Sequence, residues 1–87
     1  MTLLIESLKW NVFKMMRPED ILYFWFTEAG PEAWWQKSAT FDSLITRRFS
    51  ALHKRASMGE LSGWRSRPNG YLAEIIILDQ FSRNIYR

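Results

Sequence analysis

The 87-residue chain contains no cysteine. That removes any disulfide framework, any thiolate nucleophile and any zinc–thiolate site. Histidine is nearly as scarce, with His53 alone, and the carboxylates are not clustered. Neither a protein-built metal cage nor any other cofactor is therefore expected. No run of about 18 apolar residues occurs, so a membrane-spanning helix is not expected. The opening "MTLLIESLKWNVFKMM" is interrupted by Glu6, Lys9 and Asn11. It lacks an early basic cluster and a small-residue cleavage site, so a secretory signal is not expected and a cytoplasmic location is. Glycine-rich phosphate loops, nucleophile elbows, Gly/Ser linkers and internal repeats are missing too. No motif names a catalytic residue.

Bulky apolar material is abundant: 47% of the residues are hydrophobic, 16% are aromatic, and five are Trp. A chain this short has a marginal core of its own, so some of that bulk is expected to be buried against another chain. The net charge of +3 fits an ordinary protein surface. Arg47, Arg48, Lys54, Arg55, Arg65 and Arg67 scatter over several faces, a weak footprint for nucleic acid. Neither nucleic acid nor membrane is an expected partner.

Residues 1–16 place Leu4, Leu8, Val12 and Met15 at helical spacing and read as an N-terminal extension, at most a short helix. Residues 17–87 read as a partial helical-array domain. In "RPEDILYFWFTEAGP", Pro18 suits the first helical position and Glu19 and Asp20 complement the dipole, while Gly30 and Pro31 supply a stop. This helix is apolar nearly all round and should be covered on more than one side. "PEAWWQKSAT" is a connector carrying Trp34 and Trp35. From Thr40 as N-cap, "FDSLITRRFSALHKRASMG" is amphipathic, with Leu44, Ile45, Phe49, Ala51, Leu52 and Ala56 on one arc and Gly59 as its end. "GELSGWRSRPNG" reads as a loop. "YLAEIIILDQFSRNIYR" is the last helix, entered through Pro68 and Asn69. The pattern predicts an all-α fold of three to four helices.

On a wheel with Glu74 at 0°, Asp79, Gln80, Arg83, Asn84 and Arg87 fall between about 140° and 280°. Ile75, Ile77, Leu78, Phe81 and Ile85 take the other side, while Ile76 lies with the polar stripe. The stripe has two readings. It is a solvated face with an Asp79–Arg83 pair at i,i+4, or a ligand or partner surface rich in planar hydrogen-bonding groups. Glu74 and Arg48 sit on the apolar arcs of their helices, and an Arg48–Glu74 ion pair between them would relieve both; the alternative is that each reaches solvent by snorkelling. His53, at the edge of an apolar arc, reads as a satisfied boundary residue rather than a general base. Trp34 and Trp35 either cap a core or stack a ligand.

"ILYFWF", followed by "GPEAWWQKSATFDSLITRRF", "GELSGW" and "LAEIIILDQFSRNIYR", resembles the bacterial family known as domain of unknown function 924, from about Pro18 to Arg87. The resemblance implies a tetratricopeptide-like helical array. Trp25, Trp34, Trp35, Asp79, Gln80, Arg83, Asn84 and Arg87 match the signature positions of that family, which implies a shared pocket or structural network there. The resemblance also implies a domain twice as long, whose second half carries further helices and a His-Ser-Glu segment. An open helical array with an uncovered inner face needs a cover. A homodimer, with or without exchanged helices, is therefore expected.

The leading expectation is a helical binding protein, acting as an oligomer on a protein or a small anionic ligand. Trp34, Trp35, Asp79, Gln80, Arg83, Asn84 and Arg87 would carry that binding. The alternatives are an enzyme whose site is completed by a second chain, and a weak nucleic-acid binder. Retention on immobilised DNA or RNA is expected to be weak and flat across salt; a steep fall between about 50 and 200 mM salt would instead reveal phosphate contacts.

Overall fold

A computed structural model describes residues 16–87. Of the extension expected over residues 1–16, the stripe residues Leu4, Leu8, Val12 and Met15 lie outside them. Every regular element among the described residues is helical, so the chain is all-α.

Helix α1 (Pro18–Tyr23) starts where Pro18 needs no amide partner and where the Asp20 carboxylate accepts the Arg17 backbone N–H at 2.8 Å. It widens without a break into a π-helical segment, Phe24–Ala29. The expected stop at Gly30 proves to be a corner. Gly30 has φ +78, a conformation that costs an L side chain strain, and the chain re-enters helix as α2 (Gly30–Trp35). The first half of the expected connector, residues 31–35, is therefore helical. Helix α3 (Ala39–Ser57) is capped two residues earlier than expected: Ser38, not Thr40, accepts the Phe41 N–H on its Oγ at 3.2 Å. Gly59, with φ +79, follows its end. The expected loop holds a 3-10 turn, Ser62–Ser66. Helix α4 (Pro68–Ile75) runs through a second π-helical segment, Ile76–Phe81, into α5 (Ser82–Ile85).

The starts of α1 and α4 lie together, Arg17–Glu19 beside Ser66–Gly70. Further along, Trp25 and Phe26 lie beside Leu72, Ile75 and Ile76. The two rods therefore run side by side in the same direction. Helix α3 packs across the second rod, against the second π segment and α5. Ile21, Phe24, Trp25, Ile45, Phe49, Leu52, Ala73, Ile77 and Phe81 fill the space enclosed.

The first rod is covered less completely than its composition implies. Ile21, Phe24 and Trp25 are buried, whereas Tyr23 and Phe26 are 59% and 47% exposed. On the last rod the buried arc is also displaced from the expected one. Ile76 is buried and Ile75 is 45% exposed, the reverse of the wheel reading, and Leu78 is exposed while Asn84 is buried. The cause is the placement of neighbours. The first rod covers the Ile76 side and α3 covers the Phe81–Asn84 side, so the arc holding Ile75 and Leu78 is left bare.

Gly70 fixes how the 3-10 turn meets α4. A Cβ there would run into the Trp64 carbonyl oxygen well inside van der Waals contact, and the obstacle is backbone. Alanine usually stabilises a helix relative to glycine by about 1 kcal/mol. Gly70→Ala is expected to do the opposite, lowering stability by about 1–3 kcal/mol through overpacking, as read from a urea unfolding midpoint.

Candidate functional site

Three aromatic residues from the first rod and α2 make the wall of one cleft. The Trp34 ring lies parallel to Trp25, with centroids 5.3 Å apart and planes 6° apart. Its Nε1–H donates to the Trp25 carbonyl at 2.9 Å. Phe26 meets Trp34 edge-on at 5.4 Å. The Gly30 corner is what allows α2 to fold back and set this stack. Trp35, the next residue, is 83% exposed. Leu72, Ile75, Ile76 and Gln80 of the last rod complete a cleft of about 320 Å³ with Trp25, Phe26, Trp34 and Trp35. Of the polar stripe, only Gln80 reaches it, and its amide donates to Asp79 Oδ2 at 2.7 Å.

The rest of the stripe divides. Asp79 and Arg83 form a solvated i,i+4 pair at 3.6 Å, each more than half exposed, which contributes little. Asn84 turns inward, and its Nδ2–H donates to Asp42 Oδ1 at 2.8 Å. Arg87 approaches the same oxygen at 3.8 Å. Asp42, on the first turn of α3, thus ties down the end of the last rod. Sequence reasoning missed it, because an acid in a first helical turn already has a local explanation in the dipole. No local pattern announces a partner 42 residues away.

The expected Arg48–Glu74 pair does not form. Arg48 bonds Glu28 at 2.9 Å, with its guanidinium carbon 4.9 Å from the Phe24 ring centre and 5.1 Å from that of Phe49. Its charge reaches the surface while its stem covers the aromatic core, which is the snorkelling alternative. Glu74 is nearly wholly buried and takes a two-pronged bond from Arg65, Nε–H to Oε1 at 2.7 Å and an Nη2–H to Oε2 at 3.1 Å. The Arg65 pKa is raised above its ordinary value, first by this hydrogen bond and then by the Glu74 charge. A raised cation pKa contributes stability at all pH values below the unfolded value, so this bond is intact throughout the neutral range and weakens only in strong alkali. Arg65 could have been found by asking which cation in the preceding loop lies near the mouth of the last helix.

His53 is buried, and its Nε2 lies 2.6 Å from Ser82 Oγ. The Ser82 hydroxyl donates to the Leu78 carbonyl at 2.6 Å. One hydroxyl proton serves one acceptor, so with that bond made His53 carries its proton on Nε2 and donates to the oxygen. Glu60 pairs with Arg55 at 3.6 Å on the surface. Among the described residues no three His, Cys, Asp or Glu side chains converge on a metal position, and no helix is long and apolar enough to cross a membrane.

These features define a small all-α protein whose buried polar side chains link its helices, with an aromatic cleft left open. The chain belongs to the family described as "Bacterial protein of unknown function (DUF924)", whose model matches residues 21–87. No curated protein and no solved structure matches it.

The Arg65–Glu74 bond is open to a direct test. Arg65→Ala is expected to lower the urea midpoint, since it leaves Glu74 buried without its partner, and Glu74→Leu in that background should recover much of the loss. A midpoint unmoved by Arg65→Ala would show that the bond holds nothing.

Proposed function

We propose that this chain is a helical interaction module of tetratricopeptide-like build, working as a homodimer through the face that carries Trp35. The observation that carries this reading is the gathering of bulky apolar side chains on the side away from α3. Phe26 and Trp35 are 47% and 83% exposed, and Leu72 and Ile75, which share their cleft, are 40% and 45% exposed. Tyr71 and Leu78, also exposed, extend the same bare arc along the last rod. Helices stabilise by burying an apolar stripe in a second layer, and here α3 provides that layer on one side only.

The occupant that fits is a second copy. A twofold interface presents the same patch on both partners, and so needs a knob and a hole on one surface. Trp35 projects beside a cleft of about 320 Å³ lined by Trp25, Phe26, Trp34, Leu72, Ile75 and Ile76. A stable interface takes roughly 800 Å² from each partner, and an aromatic residue buries about 150–250 Å², so four or five such side chains are enough. Parallel packing of the first and last rods, with α3 between them in sequence, supports the array reading. It is the order in which a helix pair is followed by the first helix of the next. Both π segments border the cleft, and such distortions are frequent where a helix serves a function rather than only a core.

Sedimentation velocity at micromolar concentration tests the proposal. The expected species has twice the 10.4 kDa chain mass. Ile75→Glu, which introduces a charge at the centre of the face, should weaken the dimer by about a hundredfold or more while leaving the helical circular dichroism intact. A 10.4 kDa monomer throughout the tens-of-micromolar range would overturn it.

A further inference from the structure

A second cleft, of about 550 Å³, opens where the two parallel rods begin. It is independent of the Trp35 face. Arg17, Pro18 and Glu19 line one side, and Trp64 with Arg67, Pro68 and Asn69 lines the other. Its volume lies within the range of about 300–1,000 Å³ usual for small-molecule sites. The chemistry of its wall is uneven in a useful way. Its lining includes two arginines and one carboxylate, Glu19, together with Trp64 and two prolines.

Both arginines are available. Arg67 occupies the N-cap position of α4 in extended geometry with no capping bond from its side chain, and it meets no carboxylate among the described residues. Arg17 has only a long 3.7 Å contact with Asp20, with both side chains well exposed. This contrasts with Arg48 and Arg65, whose guanidiniums bond carboxylates at 2.9 Å and 2.7 Å. Trp64 is partly buried against the core, and its main-chain carbonyl packs closely on Gly70. A partly exposed indole offers a flat stacking surface, and the forked, permanently charged guanidinium suits oxyanions such as phosphate.

We infer that this cleft binds a small phosphorylated compound of mononucleotide size, its phosphate taken by Arg17 and Arg67 and its flat ring laid on Trp64. A phosphate monoester carries close to two negative charges at neutral pH, and the cleft lining, with two arginines and one carboxylate, has a net positive charge to meet it. A bare phosphate would leave the apolar part of the wall unused. The inference assigns a role to Arg67 and Trp64, neither of which contributes to the Trp35 face.

Calorimetric titration of the full chain at low ionic strength with AMP, inorganic phosphate and adenosine tests it. AMP is expected to bind saturably with a Kd below about 1 mM, more tightly than either fragment. Arg67→Gln should weaken both AMP and inorganic phosphate by about tenfold, since a charge-assisted fork is lost from an exposed residue whose side chain makes no cap. Trp64→Phe, which keeps a flat ring, should retain most AMP affinity, and Trp64→Leu should lose it while leaving inorganic phosphate unaffected; circular dichroism verifies the fold of each variant. Arg83→Gln, on the solvated pair at the far end of the last rod, should change nothing. Failure of AMP to saturate by about 10 mM, equal AMP affinity in the Arg67→Gln variant, or equal affinity for AMP and inorganic phosphate would overturn the inference. Sedimentation of Arg67→Gln should match the parent, which separates this site from the proposed dimer.

Discussion

Three phenylalanines, one from each main layer of the fold, hold the structure together. Phe24, Phe49 and Phe81 come from the first π segment, α3 and the second π segment, and each is at most 2% exposed. Phe24 meets Phe49 edge-on at 4.8 Å and Phe81 edge-on at 6.0 Å, and Phe49 and Phe81 stack at 4.7 Å. Such pairs add about 0.5–1.5 kcal/mol each beyond the area they bury. More important here, a triangle of contacts fixes three helices at once. Moving any helix along its axis breaks two contacts, not one. Trp25 and Phe41 extend the cluster toward the cleft, so the aromatic wall on the surface is continuous with the aromatic core.

The polar bonds act around the edge of that triangle. Glu74–Arg65 ties the last rod to the 3-10 turn, Asn84–Asp42 ties its end to the start of α3, and His53–Ser82 ties its flank to the end of α3. Each buried polar group would be costly alone, and among the described residues no buried side-chain nitrogen or oxygen lacks a partner. Hydrophobic contact is non-directional and tolerates rotation of a helix; a buried carboxylate with one arginine in reach does not. The polar set therefore selects one rotation of the last rod from several that would bury as much carbon.

That division explains what could be read in the sequence. Pro18, Gly59 and Pro68 mark element boundaries because their effect is local: a missing N–H or a tolerated positive φ acts within one turn. The α3 face was largely legible for the same reason, since a regular 19-residue helix keeps its period and buries Ile45, Phe49, Leu52 and Ala56 as spaced, although Ala51 of the expected arc is exposed. The last rod was not. Its three consecutive isoleucines leave the wheel without a preferred side, and a π segment intervenes before Asn84. Glu74 was rightly singled out as a charge in need of a partner. Its partner was misassigned because a helical wheel ranks only residues on helices, whereas Arg65 lies on the 3-10 turn that the fold brings against Glu74. The aromatic cleft was half legible. Trp34 and Trp35 stood out as a pair, but that one would stack on Trp25 and the other would face outward depends on the corner at Gly30.

The contrast between those two tryptophans bears on why the open face persists. Trp34 has both a stacking partner and a hydrogen-bond acceptor, and it supports the fold without help. Trp35 has neither among the described residues and is the most exposed of the large apolar side chains. A residue of that size in water contributes nothing to the stability of a single chain. Exposed bulk of this kind, continuous with Phe26, Leu72 and Ile75, is a liability for a solitary molecule and an asset for one that associates. The core does not require Trp35, since the phenylalanine triangle and the Trp25–Trp34 stack close without it. The physics of the core and the physics of the exposed face therefore separate at the peptide bond between residues 34 and 35.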